Sequence, residues 1–325
     1  MTDARFTRRQ TLAGLSLLLG ADASGGRIYR RLGVAFGTTV ALSIVAEDAR
    51  AAEPAFAAAF AEIRALDGLT SLTQAQSEVF RLNRDGRLEN PSAALLDMLK
   101  AAQLMHVATD GAFDVTIQPL WRAMDAAAKR GRWLDAGEIA AAQARVDATA
   151  LRFCARSVAF ARSGMALTLN SLSRGYAADR VAETLARLGV GCAMFDTDVL
   201  GARGLRPDGR PWLARVRHPR RAQDSVALAP VAGFLATSGD YAYYWSPDYA
   251  RNHIVDPRRG VSPGDFASVT VKAGSGLMAD ALSTAAFLVG RQAAPALLAR
   301  FGAEALFVGK DETVSRTSRF PIAVA

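Results

Sequence analysis

Asp280 and Thr284 stand four residues apart at the start of a long helical pattern, so on a helix their oxygens share one face of the first turns. A carboxylate and a hydroxyl so placed suit a hard cation such as Mg²⁺, which takes oxygen ligands and keeps water or phosphate in its remaining positions. The same pair also reads as a capping aspartate followed by an exposed threonine. His253 and Asp256 lie three apart, and Pro257 stops any helix there, so both can point from one loop into a shared cleft. One of them would then orient or deprotonate a hydroxyl nucleophile, although a histidine in a fold is often only a hydrogen-bonding residue. Thr237, Ser238 and Gly239 end an apolar run, where hydroxyls and backbone amides at a strand terminus can donate to a phosphate or a ring carbonyl.

Weaker signals accompany these. They are Gly111-Ala112-Phe113-Asp114 with Pro119-Leu120-Trp121, then Ser77-Glu78 with Leu82-Asn83, and Ser173-Arg174-Gly175-Tyr176-Ala177-Ala178-Asp179. Gly175 and Tyr176 fall at a strand-to-helix passage, where backbone amides can meet an anion.

Periodicity predicts the elements that must position these groups. Alternation over residues 28–46, around Phe36-Gly37-Thr38-Thr39, reads as strand, followed by an alanine-rich helix over 51–66. Further helical patterns cover 92–109, 136–147, 175–189 and 279–301. Strand-like runs cover 150–169, 191–197, 212–217, 226–236, 267–273 and 305–316. The class is α+β, with mixed β-sheets flanked by helices and a peripheral helical lobe over the alanine-rich 123–147. No fixed-period repeat or internal domain boundary shows. Loops gather at 203–211 and 246–265, the second holding His253 and Asp256.

A chain that is 50% hydrophobic and 22% charged is neither disordered nor fibrous. Its net charge of +8 is carried by arginine, with lysine only at Lys100, Lys129, Lys272 and Lys310. Basic residues cluster at Arg215, Arg217, His218, Arg220 and Arg221, and at Arg258 and Arg259. No aromatics interleave them, so nucleic acid is not an expected partner. Near the start, Arg8-Arg9 precedes an apolar run from Leu12 to Ala21 that is too short to span a bilayer, which is the pattern of a twin-arginine export signal. Residues 1–26 are expected to be that signal, and 27–325 a periplasmic chain with no membrane span. Cys154 and Cys192 have neither metal-ligand nor Cys-x-x-Cys spacing and form either one disulfide or, the expected case, two buried thiols.

Taken together and in this order, these segments resemble the ApbE family of FAD:protein FMN transferases, over most of the chain from Phe36-Gly37-Thr38 onward. The resemblance implies the ApbE-like fold and an Mg²⁺-dependent enzyme. Such an enzyme moves FMN from FAD onto a threonine or serine hydroxyl of a partner protein and releases AMP. It implies metal ligation by Asp280, Thr284 and the backbone carbonyl of Ser173. It also implies a flavin site drawn from Phe36, Gly37, Thr38, Phe113, Asp114, Arg174, Gly175, Tyr176, Thr237, Ser238, Gly239, Asp240 and His253, with His253 or Asp256 as base beside the diphosphate. Where the family has Asp-Leu-Gly-Gly-Ile-Ala-Lys-Gly-Tyr-Ala, this chain has Thr168-Leu169-Asn170-Ser171-Leu172-Ser173-Arg174-Gly175-Tyr176-Ala177. The family's Asn-x-Gly-Gly-Asp turn is replaced over Phe195 to Leu200. Asn170 together with the twin arginines is similar to the NosX branch, associated with maturation of nitrous oxide reductase, which implies the membrane flavoprotein NosR as acceptor. Two other readings share the same residues: a flavin-binding or delivery protein without turnover, and a metal-dependent hydrolase that splits FAD with water.

Overall fold

The computed structural model describes residues 15–17, 26–221 and 223–322. The expected export signal, residues 1–26, lies outside the described residues except for Leu15–Leu17 and Gly26. In chain order the elements are β1 (Leu15–Leu17), β2 (Arg27–Ala35), β3 (Thr38–Ala46), α1 (Ala49–Thr70), α2 (Glu78–Asp85), β4 (Arg87–Glu89) and α3 (Ala93–Ala108). Then come α4 (Gln118–Lys129), α5 (Ala136–Gln143), β5 (Leu151–Phe153), β6 (Ser157–Phe160), α6 (Ser173–Arg187), β7 (Ala193–Asp196) and β8 (Val199–Arg203). The chain continues through β9 (Leu213–Arg217), β10 (Ser225–Pro230), β11 (Gly233–Gly239), β12 (Phe266–Ala273), α7 (Gly276–Arg300), β13 (Glu304–Gly309) and β14 (Val314–Arg316).

An eight-stranded sheet ordered β14-β13-β12-β11-β8-β7-β3-β2 forms the centre, with smaller sheets β1-β9-β10 and β4-β6-β5. The α+β architecture of sheets flanked by helices is as expected. Among the described residues the strand pairings are antiparallel rather than mixed, with a single isolated parallel bridge from Ile117 to Ala166. The central strand β12 is buried at nearly every position because the sheet is covered on both faces. Val269 and Val271 join the core shared with α1, α6 and α7, while Leu235, Leu306 and Val308 pack with Trp212, Ala214 and Ala229 of the small sheet. The two-residue period of β11 therefore sends Ala236 and then Ser238 toward α7.

Helices α4 and α5 make the expected lobe, with Leu120 and Ala142 packed around Val255. The 150–169 run is not one strand: β5 and β6 form a hairpin and the chain is irregular from 161. Nor is 195–200 only a turn, because Thr197 and Asp198 close a two-residue hairpin and β8 begins at Val199. Asp198 carries the left-handed backbone that this turn demands, at φ 73°. Helix α2 and strands β4 and β8 fall outside the segments that periodicity predicts. The cysteines are not joined: both are free, Cys154 is exposed rather than buried, and Cys192 is half-buried.

Helices α6 and α7 cross with backbone touching backbone. A Cβ added to Gly175 would lie 2.2 Å from the Gly276 carbonyl oxygen, and one on Gly276 would lie 2.4 Å from the Gly175 carbonyl oxygen. Neither residue has a positive φ, so glycine is demanded here by closeness rather than by dihedral. Gly175→Ala is expected to cost about 1–3 kcal/mol, since the obstacle is rigid backbone and cannot rotate away. Thermal unfolding checks this; an unchanged Tm would mean that the helices part freely.

Candidate functional site

The carboxyl ends of β7 and β11, the first turns of α6 and α7, and the loops around 112–121 and 253–255 enclose a cavity of about 360 Å³. That size is within the range of small-molecule sites. One wall is aromatic: Trp121 lies 5.6 Å from Tyr243 and 5.8 Å from Trp245, centroid to centroid. Asp125 fixes that wall, accepting from the Tyr243 hydroxyl at 2.5 Å and the Trp245 indole N–H at 3.2 Å. Phe113 and Tyr241 complete the apolar lining. Asn83 clasps both backbone groups of Leu167, at 2.7 and 2.8 Å, and so steadies the lining segment that follows it.

The opposite wall carries oxygen. Ser275 caps α7, its hydroxyl accepting from the Met278 N–H at 3.2 Å, so Asp280 sits within the helix and is not a cap. The Gly175 N–H donates to Asp280 Oδ2 at 2.9 Å, so the amide that the sequence offers to an anion is taken by a carboxylate of the chain itself. No hydrogen bond engages Oδ1 among the described residues. Thr284 Oγ1 lies 2.9 Å from Ser238 Oγ, which is 2.8 Å from Ser283 Oγ, and Asp280, Thr284 and Ser238 all line the cavity. Burial pushes the Asp280 carboxyl up to about 7 against the pull of the Arg174 charge and the Gly175 N–H, with Asp198 adding repulsion. One carboxylate, hydroxyls and a cleft able to admit phosphate oxygens form a donor set that fits Mg²⁺ rather than a thiolate or histidine metal.

Arg174 crosses the floor. Its Nη1 donates to the Asn170 carbonyl at 3.0 Å, its Nη2 donates to the Phe36 carbonyl at 3.3 Å, and its Nε lies 3.4 Å from Asp198 Oδ2. Asp198 and Tyr241, with Thr168, Asn170 and Ser171, line the cavity without having been expected there as site residues. For Asp198 the signal was a second acid, two residues after Asp196, in a turn that reads as departing from a glycine pattern.

His253 Nδ1 is 3.0 Å from the Tyr243 carbonyl oxygen, which only accepts, so Nδ1 holds the proton and Nε2 is left as a base. Burial, and then the Arg174 charge, push its pKa down to about 4 against the raising effect of that hydrogen bond.

Several expected residues lie elsewhere. Asp256 is buried outside the lining, held bidentately by Arg258 at 3.0 and 2.8 Å, so it does not share the cleft with His253. Asp240 is fully buried, gripped by both Arg220 nitrogens at 2.7 and 2.8 Å with Lys310 at 3.7 Å, and it braces the end of β11 instead of lining a flavin site. Two members of the basic cluster are thus paired with acids of the chain, since Arg221 also pairs with Asp224 at 2.7 Å. Phe36 and Gly37 form the β2–β3 turn and Thr38 opens β3, all three outside the lining, and they reach the site through the Phe36 carbonyl. Tyr176 turns to Asp97 at 3.4 Å. Ser173 and Gly175 are buried behind Arg174, outside the lining. Asp114 lines the cavity but is already engaged by the Thr116 hydroxyl at 2.6 Å and the Ala148 N–H at 2.9 Å. Thr237 and Gly239 line it beside Ser238, and Thr237 Oγ1 lies 2.8 Å from Thr270 Oγ1.

Residues 36–307 match the ApbE family. The chain is 27% identical over 331 residues to the FAD:protein FMN transferase of Salmonella typhimurium, covering 94% of this chain and 93% of that one. It is 25% identical over 337 residues to the Escherichia coli K12 protein of the same name, covering 97% and 96%. Among solved structures it is similar to the apo flavinyl transferase ApbE of Pseudomonas stutzeri, with TM-score 0.80 and 29% identity over 92% of this chain and 97% of that chain. It also matches the fold of the Thermotoga maritima ApbE protein, with TM-score 0.80 and 24% identity over 90% and 97%.

The imidazole of His253 is expected to stay neutral far below the ordinary histidine range. Because its folded pKa is about 4 against 6.5 when unfolded, the unfolded chain binds this proton first, and the group costs stability as pH falls from 6.5 toward 4. An NMR titration of the three histidines, with His253→Ala for assignment, checks this; a His253 midpoint above 6 would refute the buried-base geometry.

Proposed function

The chain belongs to the ApbE family, and from that premise we propose that it is an Mg²⁺-dependent FAD:protein FMN transferase. One observation carries the reading: a carboxylate and hydroxyls (Asp280, Thr284, Ser238) and an unprotonated imidazole nitrogen of His253 line the same cavity. FAD is the substrate. The acceptor hydroxyl oxygen attacks the phosphorus on the FMN side. A new P–O ester bond forms, the bridging P–O bond breaks, and AMP leaves with the bridging oxygen. The hydroxyl proton passes to His253 Nε2, the ring nitrogen left unprotonated because Nδ1 holds its proton against the Tyr243 carbonyl. Asp256 cannot serve as base from its place under Arg258.

Asp280 and Thr284 would hold Mg²⁺, which when bound supplies positive charge to the phosphate oxygens. Arg174 is fixed by carbonyls on two segments and so brings a second positive charge to the cavity floor at a set position. Trp121, Tyr243 and Phe113 offer faces for flat rings and exclude water from the reacting groups. Twin arginines at Arg8-Arg9 support export to the periplasm, and Asn170 supports placement in the NosX branch, with a NosR-like membrane flavoprotein as acceptor.

The test is to incubate the full chain with FAD, Mg²⁺ and an acceptor domain. The expected products are covalent flavin on the acceptor and AMP in equal amount. FAD bound but unchanged would make the chain a carrier, and AMP formed equally well without acceptor would make it a hydrolase. Asp280→Ala is expected to lower turnover by about a hundredfold or more, as the loss of a cation site implies. His253→Ala should lower it about 10²- to 10⁴-fold with the fold intact. Full activity in either variant would remove that residue from the mechanism.

A further inference from the structure

Gly175 and Asp179 on α6, and Gly276 and Asp280 on α7, repeat one pattern: a glycine followed four residues later by an aspartate. At the crossing the two patterns clasp each other. The Gly175 N–H of α6 donates to Asp280 Oδ2 of α7 at 2.9 Å. In return, Gly276 and Leu277 of α7 donate their N–H groups to Asp179 Oδ1 and Oδ2 of α6, at 2.6 and 2.9 Å. The glycines let the backbones meet and each aspartate reaches across to the other helix. The two carboxylates have different fates, since Asp280 lines the cavity and Asp179 does not.

The geometry points to Asp179 as a positioning residue for the cation site: by seizing the first two amides of α7 it fixes where Asp280 and Thr284, one and two turns on, present their oxygens. Both Asp179 oxygens are used, so the start of α7 is held in position and in rotation. A single acceptor would leave it free to swivel about one bond. Rotation of α7 about its axis would move Asp280 off the Gly175 N–H of α6 and Thr284 off Ser238 of β11 together, because Asp280 and Thr284 are one turn apart on the same rigid helix. A cation site supported this way should feel the loss of its support as weakened affinity, about 10- to 100-fold for groups that orient ligands without touching the metal.

The inference rests on the transferase reading for its cation, and the experiment separates the two. Mg²⁺ is titrated calorimetrically into the full chain, with and without FAD, for the wild type, Asp179→Asn and Asp179→Ser. Asparagine keeps the shape but sets an NH₂ group against an amide N–H, and serine keeps one acceptor in less volume, so each leaves part of the clasp. The expected result is an Mg²⁺ dissociation constant raised about 10- to 100-fold in the variants. AMP formation should recover toward wild type at high Mg²⁺, and KM for FAD should be unchanged once Mg²⁺ saturates. A lowered Tm with an unchanged Mg²⁺ dissociation constant would make Asp179 a helix cap only and overturn the inference while leaving the transferase standing. Wild-type protein that takes up no Mg²⁺ under either condition would overturn the cation reading and the inference with it.

Discussion

The site depends on one hydrogen bond across a helix crossing, from the Gly175 N–H to the Asp280 carboxylate. A carboxylate buried at this depth is costly unless something compensates its charge. Here the compensation is built from α6: an amide from its first turn, and Arg174 immediately before it. The same requirement explains why the helices must touch. The Gly175 amide reaches the carboxylate because no Cβ stands between the helices at this crossing.

From that contact the remaining architecture follows as support. Strand β11 lies against α7, and its two-residue period turns Ser238 toward Thr284 while Asp240, two residues further on, is anchored to Arg220 and Lys310. This makes Asp240 the nail of the strand and Ser238 its working tip. On the far wall, Asp125 does the same for the aromatic loop by holding Tyr243, whose carbonyl in turn fixes the tautomer of His253. Buried acids that never meet a ligand thus set the positions of neutral groups that can.

Much of this was legible in the residues. Asp280 and Thr284 share a helix face because their spacing demands it, and Thr237 to Gly239 end a strand because an apolar run stops there. His253 was recognisable as a loop residue beside a helix-stopping proline. What spacing could not reveal was direction. Asp256 is three residues from His253, closer than the four that separate Asp280 and Thr284, yet a loop has no fixed period, and the Arg258 side chain two residues on draws it away. Asp240 likewise extends a functional run of polar residues, but it is the member whose charge is met by two cations from distant segments, which no local pattern announces. Gly175 looked like an anion-binding amide and is one, though its anion belongs to the chain.

The departures from the family pattern at 168–174 are best understood through Arg174. An ammonium is a point charge that one acceptor can satisfy, whereas a guanidinium has a planar fork and needs its geometry set. The structure sets it with carbonyls of Asn170 and Phe36 and with the Asp198 carboxylate, and Thr197, beside Asp198, donates its hydroxyl to the Arg174 carbonyl at 2.9 Å. The 195–200 turn and the 168–174 segment therefore meet at Arg174. Side chains in place of glycines on both segments do not block the cavity, because Asn170, Ser171 and Asp198 are arranged along its edge and one of them holds the arginine that the other change introduced. Held on three sides, Arg174 brings a fixed positive group to the cavity that Asp280 and Thr284 of α7 also line.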